Sequence, residues 1–210
     1  LCNKEPFIVD FVGGEGENPD EADGSCLFIG ERNSSWFKFE CGVSGSLTFT
    51  ISPTLASDDY DFALFELPGG LLTCDTILLR CVASNGDCGS TTGLDLTSTD
   101  FFENVNCDVG DDGFARFINM EEGKAYALLI NNFSDNESGF NIEFGGTGEF
   151  KSPEPEIVIE IDPSDPCGQN LLLSVESQGI LDSVHWDFGL GSTPSESDQI
   201  GPVSVSYSDF

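Results

Sequence analysis

Residues Ser46 to Ser52 read SLTFTIS, which puts Leu47, Phe49 and Ile51 on one side of an extended chain and Thr48 and Thr50 on the other. A period of two is the mark of a half-buried strand. Runs of the same kind recur at Phe7 to Val12, Trp36 to Glu40, Tyr60 to Leu67, Phe114 to Ile118, Tyr126 to Ile130 and Phe140 to Phe144, all bounded by Gly, Asn, Asp or Ser. Scattered among them, 24 glycines and 10 prolines leave little room for long helices. The pattern predicts an all-β protein built as a sandwich. Phenylalanine, with 18 copies against 2 Trp and 3 Tyr, is the expected core filler, because its ring has no polar tip to satisfy between two sheets.

A boundary falls at Lys151 to Glu156, KSPEPE, where two prolines separated by acid favour an extended, semi-rigid linker. It divides a first domain, residues 1–150, from a second, residues 157–210. In the second, Ile157 to Ile161, Leu171 to Val175, Val184 to Phe188 and Val203 to Tyr207 are strand candidates. An Ig-like sandwich takes about seven strands and ~100 residues. The second domain is therefore expected to be partial, its closing strands lying downstream of Phe210 or on a neighbouring chain. The opening at Leu1, without a charged and then apolar leader, suggests a processed or internal portion of something longer.

Composition narrows the function. The 210 residues hold 7 Lys plus Arg against 38 Asp plus Glu, a net charge of −31, which repels nucleic-acid phosphates and anionic headgroups. No run approaches the roughly 20 apolar residues of a membrane span. One histidine leaves no His-based metal cluster and a single candidate ring for base catalysis. Eight cysteines without a CxxC pair fit neither a zinc ribbon nor a thioredoxin-like site, so disulfides in an oxidising compartment are expected. Spacing suggests local staples among Cys74, Cys81 and Cys88, and a clip between Cys26 and Cys41 on adjacent strands.

From Gly16 the chain runs through an acidic Glu17-Asn18-Pro19 segment, the strand ERNSSWFKF, the strand GSLTFTI and then DDYDFALF. In that order these features resemble the pre-peptidase C-terminal (PPC) domain family, over residues 5 to 150. The variant with ERNSSWFKF and DDYDFAL is similar to modules of large secreted Bacteroidota surface proteins exported by the type IX route. The resemblance implies a small jelly-roll-like β-sandwich, non-catalytic and attached to proteases or adhesins. In the tail, His185-Trp186-Asp187-Phe188-Gly189-Leu190-Gly191 and Gly201-Pro202-Val203-Ser204-Val205-Ser206-Tyr207 resemble the WDFGDG segment and later Tyr strand of PKD domains, which serve as Ig-like spacers. Leu190 stands where that family has Asp, which weakens turn hydrogen bonding carried by such a carboxylate.

Candidate chemistry rests on acids. Asp10, Glu15, Glu17, Asn18, Asp20, Glu21 and Asp23 lie among glycines, an oxygen-rich stretch of the kind that wraps Ca2+, which takes six to eight oxygens in irregular geometry. The resemblance to calcium-holding PPC-type collagen-binding modules nominates Glu15, Glu17, Asn18 and Asp20. Arg32-Asn33-Ser34-Ser35, however, replaces the aspartates those modules carry before the next strand, and a solvated acidic loop is the alternative. In Asp58-Asp59-Tyr60-Asp61, a strand would point Asp59 and Asp61 to one side, close enough to share an ion. The competing reading has these acids satisfying turn amides. Asp108, Asp111 and Asp112 lack the EF-hand pattern. Trp36 and Trp186 read as core, and His185, between Val184 and Trp186, as an outward strand position. Asn33, Asn132 and Asn136 head N-glycosylation sequons. No G-x-S-x-G elbow is present.

These readings converge on a non-catalytic structural or adhesive module of a large extracellular, cell-surface or filament-forming bacterial protein. Its expected partners are like chains in a homo-oligomer or filament, or a cell-surface glycan or protein, with neither nucleic acid nor membrane insertion. The alternative is a substrate-binding accessory domain of a secreted hydrolase.

Overall fold

The computed structural model describes residues 1–11, 22–27, 33–72, 75–83, 88–105, 107–134, 138–152, 156–161, 170–176 and 183–208. Contacts divide the chain into two compact units, Leu1–Lys151 and Ser152–Phe210. The architecture is all-β, and among the described residues no helix is long and apolar enough to cross a membrane.

In the first unit the strands are β1 (Phe7–Phe11), β2 (Ser34–Val43), β3 (Gly45–Pro53), β4 (Tyr60–Leu67), β5 (Ile77–Val82), β6 (Thr92–Asp95), β7 (Phe102–Glu103), β8 (Phe114–Arg116), β9 (Ile118–Met120), β10 (Ala125–Asn132), β11 (Ser138–Gly145) and β12 (Glu149–Phe150). One sheet runs β1-β11-β3-β6-β8, with β9 also pairing β3; the other runs β12-β2-β10-β4-β5-β7. Pairing is antiparallel except for β5 with β7 and β6 with β8. This is a β-sandwich. Phe114 to Ile118, expected as one strand, breaks at Phe117, because β8 pairs with β6 while β9 pairs with β3.

Leu47, Phe49 and Ile51 of β3 enter the core together with Phe39, Phe62, Leu64, Leu128, Phe140 and Ile142. Phenylalanine does fill that layer: Phe49 meets Phe62 edge-on at 5.0 Å, and Phe39 lies 4.3 Å from Phe150. Within the first sheet β6 lies close against β3 at Gly93, where a Cβ would stand 2.0 Å from the Phe49 carbonyl oxygen.

β10 is buried along its whole length, and β4 at all but one position. Their outer face is covered by residues 22–27, whose Ala22 and Leu27 pack with Ala63, Phe65, Ala83 and Leu129. A Cys26–Cys81 disulfide, Cα–Cα 5.8 Å, pins that cover to β5. A second disulfide joins Cys88 to Cys107. The expected Cys26–Cys41 clip is thereby overturned: the Cys41 side chain is buried in the core and its Sγ donates to the Val43 carbonyl at 3.2 Å. Cys81 likewise bonds across the fold and staples neither Cys74 nor Cys88; Cys74 and Cys167 lie outside the described residues. Chain-entropy arithmetic for loops of 55 and 19 residues gives about 4 and about 3 kcal/mol of stabilisation.

Arg80 on β5 hooks the two sheets together at one flank. Its guanidinium donates to the carbonyls of Arg116 at 2.6 Å and Phe117 at 3.0 Å, and lies 4.3 Å over the Phe101 ring. At another flank the beginning and end of the unit meet. The Leu1 ammonium donates to the Lys38 carbonyl at 2.5 Å, Lys4 pairs with Glu149 at 3.2 Å, and β12 lies on β2.

The second unit has β13 (Glu156–Ile161), β14 (Asn170–Glu176), β15 (Trp186–Asp187), β16 (Ser192–Thr193), β17 (Glu196–Ser197) and β18 (Val203–Tyr207). A sheet ordered β13-β14-β18-β16 faces the short pair β15-β17 through Leu173, Trp186, Phe188, Val203 and Val205. The expected strand Val184 to Phe188 contracts to Trp186–Asp187. Trp186 is core, as read, with its Nε1–H donated to the Gln199 carbonyl at 3.0 Å. The turn that Leu190 occupies is held by Asp187, which accepts the Gly189 N–H at 3.0 Å. On β13, Ile157 and Ile159 stand opposite Val175 and Leu173 and so share the core face, yet they are 63% and 60% exposed.

Candidate functional site

One end of the β2-β10-β4 layer collects polar side chains. The chain enters it through Asp58, whose carboxylate accepts from Ser57 Oγ at 3.4 Å and also from Ser138 Oγ. Asp59 donates its N–H to Ser134 Oγ at 2.7 Å, and its carbonyl accepts the Phe133 N–H at 2.8 Å, continuing the β4–β10 ladder one step. Tyr60 turns inward; its hydroxyl donates to the Ser138 carbonyl at 2.5 Å and accepts from Asn132 Nδ2 at 3.3 Å. Burial pushes the Tyr60 phenol up to about 12. On the core side, then, the acids and amides of this corner satisfy one another.

Strand alternation sends Asp61 the other way, with Ala63 and Phe65, onto the covered outer face. It stands directly opposite Asn131, which stands opposite Ser34, so the three form one row across β4, β10 and β2. Asp61 is 6% exposed and Asn131 equally so. The Asp61 Oδ1 atom is buried and, among the described residues, has no hydrogen-bond partner. Burial, and then the charge of Asp59, hold its carboxyl well above the ordinary aspartate range. A dry carboxyl in this state has two outlets: it keeps a proton, or it meets a cation.

The remaining candidates separate. Glu15, Glu17, Asn18 and Asp20 lie outside the described residues. Asp111 and Asp112 fold their own turn, accepting the N–H groups of Asp108 at 2.9 Å and Phe114 at 3.0 Å. Behind that turn is Glu103, 1% exposed, whose two carboxylate oxygens take the N–H groups of Asp112 at 3.1 Å and Gly113 at 2.9 Å. Nothing in the sequence around Glu103 marks it. His185 faces outward, as expected, with Nδ1 2.7 Å from Asp198 Oδ1, a hydrogen bond that raises its pKa. Trp36, read as core, is half-buried and packs against the outer-face cluster, its ring 5.7 Å from that of Phe65. Asn33 and Asn132 are 8% and 0% exposed, so neither sequon presents its amide at the surface. Among the described residues, no three His, Cys, Asp or Glu side chains are grouped to hold a metal.

No family model matches the chain, and no curated protein does. Among solved structures it is similar to CorA, a surface-associated copper-binding protein important in copper acquisition by Methylomicrobium album BG8. The identity is 8%, the TM-score 0.36, and the match covers 67% of this chain and 91% of that one. At that level the likeness carries nothing further about this chain.

Proposed function

We propose that the chain is a non-catalytic structural or adhesive module of an extracellular bacterial surface protein, acting by strand-to-strand contact. What carries this reading is β13. Among the described residues it pairs on one side only, with β14, and it leaves Ile157 and Ile159 uncovered on the core face of its sheet. An unpaired edge backed by apolar side chains is a template for an added strand, which gains main-chain hydrogen bonds and buries the two isoleucines. The two disulfides support an oxidising, extracellular setting. The PPC-like and PKD-like sequence features support a surface module of the Bacteroidota kind, and an accessory role beside a secreted hydrolase is the second reading.

Charge selects the added strand. Residues 152–210 contain no Lys or Arg, so pairing β13 with the β13 of a like chain brings acidic surfaces together. The favoured donor is a strand of another module that alternates apolar with basic positions. The test is hydrogen exchange of the full chain mixed with a synthetic alternating Val/Lys peptide or its Val/Glu counterpart. Slowed exchange across Ile157–Glu160 with the Lys peptide, lost in Ile159→Lys, is the expected result. If β13 amides gain no protection from either peptide, and the chain stays monomeric as concentration rises, strand addition is wrong.

A further inference from the structure

We propose that the flank where β5 and β8 meet the segment leading into β7 binds a sugar carrying one carboxylate, a hexuronate at the end of a surface glycan. Arg116 holds the anion and the Phe101 ring holds the sugar face. The chain has 7 Lys and Arg against 38 Asp and Glu, yet two of its arginines stand together here. One guanidinium ties the place together: Arg80 lies 4.3 Å over the Phe101 ring and donates to the carbonyls of both Arg116 and Phe117. Arg116 is exposed, and its guanidinium lies 5.4 Å over the Phe117 ring. Among the described residues neither arginine is paired with an acid; the ion pairs belong to Lys4, Lys124, Lys151 and His185. Asp95, opposite Arg116 in the β6–β8 ladder, caps its own turn by accepting the N–H groups of Thr97 at 2.7 Å and Ser98 at 2.6 Å. Burial, and then the charge of Arg116, lower the Arg80 pKa, so the two cations oppose one another across the flank. An anion set against Arg116 relieves that opposition and meets a planar fork suited to a carboxylate.

The main chain decides between a sugar and a peptide. The Arg116 N–H donates to the Asp100 carbonyl at 2.7 Å and the Phe117 N–H to the Asp95 carbonyl at 2.9 Å, while the carbonyls of both residues are taken by Arg80. An added peptide strand finds no ladder to join at these residues, so recognition falls to side chains. Phe101 is 47% exposed with one face of its ring covered by Arg80, which leaves the other face open to the apolar C–H face of a pyranose. One open fork matches one carboxylate, and the net charge of −31 repels a polyanion far more than a single acidic sugar. One ion contact and one stacked ring give an affinity on the order of 10⁻³ M. The site shares no residue with β13 and stands or falls apart from strand addition there.

The experiment is saturation-transfer NMR of the full chain with methyl β-glucuronide, and with methyl β-glucoside as its neutral counterpart. Transfer to the glucuronide ring protons is expected, with binding of the glucoside weaker by about ten-fold. Arg116→Gln is expected to bring the glucuronide down to the glucoside level, and Phe101→Leu to weaken it as well. Both side chains are exposed, so these variants keep the fold. An Ile159→Lys variant, altered only at β13, is expected to bind the glucuronide as the wild type does. The proposal falls if the two sugars give equal signals, if Arg116→Gln changes nothing, or if ~10 mM glucuronide, about ten times the expected dissociation constant, shows no transfer. It falls equally if an alternating Glu/Phe peptide binds in place of the sugar.

Discussion

Asp61 and Asn131 stand opposite one another on β4 and β10, both 6% exposed, in a layer otherwise lined by Ala63, Phe65 and Leu129. The pair gives pH a direct hold on stability. The Asp61 carboxyl is raised in the folded chain above its ordinary value of 3.8, so the folded state holds a proton that the unfolded state has released. That contribution is complete below pH 3.8 and is lost as pH climbs through the raised value. In EDTA, Asp61→Asn is therefore expected to match the wild type near pH 4 and to exceed it by about 1–3 kcal/mol at pH 7. Urea melts at the two pH values check this; equal stability at pH 7 refutes it.

The Glu103 carboxylate is the clasp of the Asp108–Phe114 turn. Glu103→Ala leaves the N–H groups of Asp112 and Gly113 without their charged acceptor and is expected to cost about 2–4 kcal/mol. Glu103→Gln, which keeps one acceptor oxygen, costs less. Chemical denaturation of the two variants ranks them.

Removing the Tyr60 hydroxyl takes a donor from the Ser138 carbonyl and an acceptor from Asn132. Tyr60→Phe is expected to lose about 1–2 kcal/mol with the fold unchanged. A circular dichroism spectrum identical to wild type, together with a lowered urea midpoint, is the pattern to look for.

Cysteine reactivity separates by position. Burial pushes the Cys41 thiol up, so it is expected to react with a thiol reagent only once the chain is unfolded, while Cys26, Cys81, Cys88 and Cys107 react only after reduction. Mass mapping after timed alkylation reads each site. Rapid native labelling of Cys41 contradicts its place in the core.

Gly93 tolerates no side chain, since a Cβ 2.0 Å from the Phe49 carbonyl must part β6 from β3. Gly93→Ala is expected to destabilise by more than the ~1 kcal/mol typical of a single substitution, and in the limit to abolish soluble expression.

How far these features were legible from residues alone varies with the range of the interaction behind them. β3 and β4 were readable, β4 to its end residues at Tyr60 and Leu67, because alternation and flanking turn residues are local. In the first unit the two-residue strands, β7 and β12, were not, since only neighbouring strands make so short a segment extended. Strand alternation put Asp61 on the face away from Tyr60, but its burial was not legible. The cover on that face, Ala22 to Leu27, packs on Ala63, Phe65 and Leu129 and is tied down by a disulfide that no spacing rule could pair. Arg80 looked like one of seven scattered cations, and its anchoring to carbonyls depends on where β8 and β9 divide.

The meeting of Leu1 with Lys38, of Lys4 with Glu149 and of β12 with β2 brings the first and last segments of the first unit to one flank. A pull applied between Lys4 and Phe150 loads the Lys4–Glu149 latch and the two-residue β12 before any interior strand, and the covered face carries none of that load until the latch opens.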